Sequence, residues 1–112
     1  RFEAGRRAAA AVLAATPRPD AIQAFSDEVA LGLIAGLHDR GYRVSRDLAL
    51  VGFDNRQAAA WCTPALTTVA QPVREIGVAA ARMLLERMES GCGHEGPRQI
   101  TLPTRLVVRA SA

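Results

Sequence analysis

Residues 48–53, Leu-Ala-Leu-Val-Gly-Phe, form an unbroken apolar run that stops at Asp54-Asn55. A strand with one wet face alternates apolar and polar residues, whereas a run without alternation is expected of a strand covered on both faces of a parallel sheet. Parallel neighbours cannot be joined by a tight turn and need a crossover, usually a helix. This single run therefore directs the chain toward an α/β fold.

The flanking sequence supplies the helices and strands that such a fold requires. Residues 2–15 have high helix propensity and stop before Pro17, which disfavours helical backbone at Thr16. Residues 21–25 are a short apolar run of strand length. Ser26 then reads as a helix N-cap, with Asp27 and Glu28 where the helix dipole favours negative charge. Val29, Leu33, Ile34 and Leu37 recur at helical spacing, and Gly41 marks the stop. After the run at 48–53, residues 57–62 can form one or two helical turns, and 67–71 is another β-branched stretch. Pro72 favours helix initiation, and residues 73–89 form a long helix with Ile76, Ala80, Met83, Leu84 and Met88 on its apolar side. Residues 91–97 read as a loop, and 99–102 and 106–108 as two short strands split by Pro103. The order helix, strand, helix, strand, strand, helix, strand implies an α/β fold with a mostly parallel sheet flanked by helices and joined by right-handed crossovers.

Length and composition bound the function classes. At 112 residues the chain holds one core but fewer strands than a doubly wound domain normally has, so it reads as part of such a domain. It is 49% hydrophobic and 22% charged, in the globular range, and no apolar run is long enough to span a bilayer. Glu3, Arg6 and Arg7 interrupt the Ala-rich start, which excludes a signal-peptide core. The formal net charge of +3 comes from basic residues scattered among acids, so it describes a solvated surface rather than a nucleic-acid face. All fourteen basic residues are Arg, which reflects coding bias rather than phosphate binding. Cys62 and Cys92 are too few for a disulfide scaffold and fit a reducing cytoplasm.

In open α/β sheets ligands bind outside the carboxyl ends of the strands. The residues there are Ser26 and Asp27, Asp54 and Asn55, and Gln71. A carboxylate flanked by an amide and a hydroxyl can accept paired hydrogen bonds from adjacent hydroxyls, as a sugar or other small polar molecule would offer. Strand ends also carry Asp, Asn and Ser as turn and cap residues, so for Asp54 and Ser26 both readings stand at this point. Neither His38, within a helix, nor Cys92 and His94, in a loop, joins a nucleophile or metal arrangement, and no glycine pattern cradles phosphate. No catalytic residue, metal site or cofactor is expected.

Three segments in order carry a resemblance: Ser26-Asp27-Glu28-Val29-Ala30-Leu31-Gly32, Leu50-Val51-Gly52-Phe53-Asp54-Asn55, and Thr63-Pro64-Ala65-Leu66-Thr67-Thr68-Val69-Ala70-Gln71-Pro72. With Leu102-Pro103 and Leu106-Val107-Val108-Arg109 after them, they make the chain similar to bacterial repressors of the LacI/GalR type. The resemblance implies a partial periplasmic-binding-protein-like type I domain, with ligand held between two subdomains. Residues 1–71 would belong to the distal subdomain, 72–97 to the proximal one, and 98–112 would return to the distal one. Ligand contacts would fall on Asp54, Gln71 and Ser26, the last a position where the family often has Asn. Asp27 would cap its helix and Asn55 would fix the loop. A homodimer surface would run along Leu31 and near Trp61 and Cys62, although a lone Trp is also an ordinary core residue. The implied function is that of a cytoplasmic, non-enzymatic repressor. A small-molecule effector, sugar-like or nucleobase-like, would tune its hold on operator DNA through an N-terminal domain outside this chain. The other reading is a periplasmic sugar-binding protein of a transporter.

Overall fold

The computed structural model describes residues 1–89 and 96–112 of the chain. They fall into two compact units, Arg1–Ala70 with Arg105–Ala112, and Gln71–Thr104. The larger unit holds α1 (Phe2–Ala14), β1 (Ala21–Gln23), α2 (Asp27–His38), β2 (Ala49–Phe53), α3 (Gln57–Trp61), β3 (Thr67–Ala70) and, after the second unit, β4 (Arg105–Val107). The sheet runs β1-β2-β3-β4. β1, β2 and β3 are parallel, and β4 is antiparallel to β3. The mixed sheet thus keeps the parallel arrangement that the apolar run at β2 requires.

The core forms where α2 lies on β2 and α1 lies along α2. Leu33, Leu37, Leu50 and Leu66 are buried together with Ala9, Ala30 and Ala59. A buried Leu of this kind contributes about 2–5 kcal/mol relative to Ala. The two helices approach so closely that a Cβ at Gly32 would stand 1.9 Å from the Phe2 carbonyl oxygen, a contact no side chain can make. Gly41 follows α2 at φ +80°, the left-handed geometry that ends the helix.

β2 is not covered equally on its two faces. Leu50 and Gly52 are buried, while Ala49, Val51 and Phe53 are half-buried. The reason is the layering: α2 covers the Leu50 and Gly52 face, with Asp27 of that helix against Gly52.

A serine near the C-terminus completes the sheet. The Leu50 amide donates to the Ser111 carbonyl at 2.8 Å, and the Ser111 amide donates to Ala65 at 3.0 Å. The Ser111 hydroxyl donates to the Leu50 carbonyl at 2.6 Å and accepts from the Thr67 amide at 2.8 Å. These bonds satisfy buried backbone groups of β2 and β3 near the amino-terminal ends of the two strands.

The smaller unit consists of α4 (Val73–Glu89) and the segment 96–104. Ile76, Ala80 and Met83 of α4 line a cleft of about 560 Å³ with Ile100 and Leu102, while Leu84 and Met88 are exposed. Residues 99–102, expected as a strand, form none, because the described residues of this unit include no strand to pair with them. The second expected strand forms one residue earlier, as β4. The loop expected at 91–97, with Cys92 and His94, lies for the most part outside the described residues.

Candidate functional site

The strand ladder sets the site. Gln23 pairs with Val51 and Val51 with Thr67. Three residues farther along β1 and β2 stand Ser26 and Asp54, so the parallel register brings both to the same edge, at the carboxyl ends of the strands. Gln71, the third residue named from sequence, follows β3 directly and opens the smaller unit, where its carbonyl accepts from the Val73 amide at 2.9 Å.

The backbone at the end of β2 is unusual. Asp54 has φ +116° and Asn55 φ +53°, so two consecutive residues with side chains lie on the positive side. Such backbone costs of the order of 1–3 kcal/mol per residue and persists only where its surroundings hold it, often at a ligand site. The surroundings here are polar and specific. The Asp54 amide donates to the Val69 carbonyl at 2.9 Å, extending the β2–β3 ladder one step. The Asn55 amide donates to the Thr68 hydroxyl at 3.3 Å, and the Arg56 amide donates to Asp27 Oδ2 at 2.7 Å. The Thr68 hydroxyl in turn donates to Asp27 Oδ1 at 2.5 Å. From the other side, Arg109 donates from Nη2 to Asn55 Oδ1 at 2.8 Å and from Nη1 to the Leu66 carbonyl at 2.8 Å.

Asp27 therefore has a different role from the one expected of it. It is fully buried, and its carboxylate reaches out of its own helix to the loop after β2. The cap of α2 is Ser26, whose hydroxyl accepts from the Val29 amide at 3.4 Å. Ser26 is only 3% exposed, whereas Asp54 and Asn55 are half-buried at the edge. Sequence reasoning missed the Asp27 and Arg109 contacts. One signal pointed to the first: a glycine inside a strand marks a close approach, and a Cβ on Gly52 would stand 2.3 Å from Asp27 Oδ1.

The residues assigned to a dimer surface sit elsewhere on the same unit. Leu31 is half-buried on α2, and Trp61, at the end of α3, is 73% exposed, so the tryptophan is not a core residue of this chain. Cys62 caps α3, with its sulfur 3.1 Å from the Pro64 carbonyl and 3.4 Å from that of Ala59. Burial pushes the Cys62 thiol above its ordinary range. Among the described residues no helix is long and apolar enough to cross a membrane.

The sequence pattern of the periplasmic binding protein-like domain matches residues 1–112, the whole chain. The chain belongs to the periplasmic binding protein-like domain family. Within it the relatives are LacI-type regulators, and the chain corresponds to part of their effector-binding domain. It is 38% identical over 109 residues to the HTH-type transcriptional repressor PurR of Escherichia fergusonii, spanning 97% of this chain and 31% of that protein. Among solved structures, it is similar to a LacI family regulator of Enterococcus faecalis with bound ribose, with TM-score 0.87, 34% identity and coverage of 98% of this chain and 40% of that one. It is also similar to a LacI family regulator of an Arthrobacter species in complex with lactose, with TM-score 0.82, 37% identity and coverage of 98% and 41%. The chain thus spans about a third of the repressor's length, and the periplasmic binding protein-like fold expected from sequence is the one observed.

Proposed function

We propose that this periplasmic binding protein-like chain is the effector-sensing part of a DNA-binding transcriptional repressor, with a sugar-like ligand held at the Asp54 edge. The observation that carries the proposal is the Asp54–Asn55 backbone. Two consecutive side-chain-bearing residues at positive φ at a strand's carboxyl end, braced by a buried carboxylate, carry a conformational cost that their surroundings offset. The chemistry fits a polyol: the Asp54 carboxylate accepts from vicinal hydroxyls, as charge-assisted hydrogen bonds. The relatives with bound ribose and lactose support a sugar-like ligand.

In this reading the unit of Arg1–Ala70 and Arg105–Ala112 belongs to the distal subdomain and the unit Gln71–Thr104 to the proximal one, in place of the expected bounds at 71 and 98. Ligand lies between the subdomains, and Gln71, at the crossover, senses their closure. Ser26 supplies a secondary contact or, through its cap, fixes the helix that carries Asp27. Closure shifts the population of a homodimer formed along Leu31, Trp61 and Cys62, and so changes operator affinity through an N-terminal domain. The protein performs no catalysis and works in the cytoplasm. A transport-linked binding protein would share the fold, but the relatives named above are regulators, which favours the repressor.

The test is operator binding by the full-length protein. Fluorescence anisotropy on DNA from upstream of its own gene, with and without ribose or lactose, should show a sugar-dependent change in affinity. Operator affinity indifferent to both sugars and to a wider sugar panel would contradict the proposal.

A further inference from the structure

We infer that Asp27 is a positioning residue of the effector site, holding the Asp54–Asn55 turn in its left-handed form through Thr68 and the Arg56 amide. The inference rests on the effector-site reading and adds to it a residue that touches no ligand.

Asp27 is fully buried, and both oxygens of its carboxylate are engaged away from α2. Its Oδ2 holds the Arg56 amide at 2.7 Å, the first residue after the two at positive φ. Its Oδ1 accepts a hydrogen bond from the Thr68 hydroxyl, which leaves the lone pairs of Thr68 Oγ1 to accept from the Asn55 amide at 3.3 Å. The direction of the second bond is thereby fixed: a hydroxyl that donates to a carboxylate is an acceptor toward the turn. Consecutive amides of the turn, Asn55 and Arg56, are thus both tied to the one buried Asp27 side chain, the first through Thr68 and the second directly. Arg109 closes the arrangement from the far side by holding Asn55 Oδ1 at 2.8 Å.

Space enforces the same geometry. Gly52 lies beneath the carboxylate, where any Cβ would collide with Oδ1, so the strand is shaped to admit the Asp27 side chain rather than merely to tolerate it. A carboxylate needed only for the helix dipole could sit in solvent at the first turn of α2, as the half-buried Glu28 beside it does in part.

The experiment uses the full-length protein with Asp27→Asn, Thr68→Val and Thr68→Ser, and two readouts. Calorimetry with ribose and with lactose measures affinity, and amide hydrogen exchange is followed residue by residue without ligand. Asp27→Asn keeps the shape but loses one acceptor, and Thr68→Val loses the relay. Each should weaken binding of the sugar that the wild type takes by roughly tenfold or more. Both should speed exchange at Asn55 and Arg56 while Leu50 and Val51 keep their protection, and Thr68→Ser should behave like wild type in both readouts. Unchanged affinity and unchanged exchange at Asn55 and Arg56 in Asp27→Asn would overturn the inference. So would protection lost uniformly through β2, which marks a role in stability alone. A wild type that binds neither sugar counts against the effector reading, and the exchange pattern then decides the positioning role by itself.

Discussion

Thr68 on β3 donates its hydroxyl proton to Asp27 at the start of α2, 2.5 Å away and 41 residues distant in sequence. This bond joins α2 to β3, and the loop between β2 and α3, which carries Asp54, is tied to both of its partners. The position of the candidate ligand anchor is therefore set by residues of α2 and β3 and not by its own loop alone.

Gly52→Ala should be costly despite adding one methyl group. The new Cβ would stand 2.3 Å from Asp27 Oδ1 and 2.9 Å from Leu66 Cδ2, so the carboxylate or the strand must move. Overpacking of this kind costs about 1–3 kcal/mol. Urea denaturation should show a lowered midpoint with unchanged slope, and a midpoint equal to wild type would show that Asp27 yields freely.

Ser111→Ala removes two bonds between the C-terminus and the sheet. The Thr67 amide, whose acceptor is the Ser111 hydroxyl, would be left as a buried donor without that partner. An unsatisfied buried donor costs about 1–3 kcal/mol. Thermal denaturation should show the loss, and Ser111→Thr, which keeps the hydroxyl, should recover part of it.

Cys62 should react slowly. Burial holds its thiol above the usual 9.0, and the thiolate is the reactive species. A raised pKa in the folded state means that the neutral form is favoured by folding. Its contribution is therefore complete below the unfolded-state value and is lost as pH rises past it toward the folded one. Alkylation by iodoacetamide at pH 8, followed by peptide mass spectrometry, should modify Cys62 more slowly in native protein than after urea unfolding. Equal rates would contradict the shift.

The helices were legible in the sequence where local chemistry decides them. Pro72 and a helical apolar spacing gave α4, and Ser26 gave the start of α2, because propensity and capping act within a few residues. The run at residues 48–53 gave β2 and the α/β class. The segment 99–102 was not legible, since a strand exists only with a partner and no local rule supplies one. Asp54 could be named from its place after a strand, but its backbone geometry could not. Asp27 was misread for the same reason: an acid just after a cap satisfies the helix dipole in any sequence, and only packing against Gly52 and Thr68 gives it a second role. The exposure of Trp61 likewise follows from where α3 ends, not from its neighbours in sequence.

The central claim is that Asp54 anchors the effector of a regulator. Calorimetry of the full-length protein with ribose and lactose, wild type against Asp54→Ala, tests it most directly. At least one sugar should bind the wild type, the variant should lose roughly tenfold or more of that affinity, and its operator binding without sugar should be unchanged. Equal sugar affinity in the two proteins would contradict it.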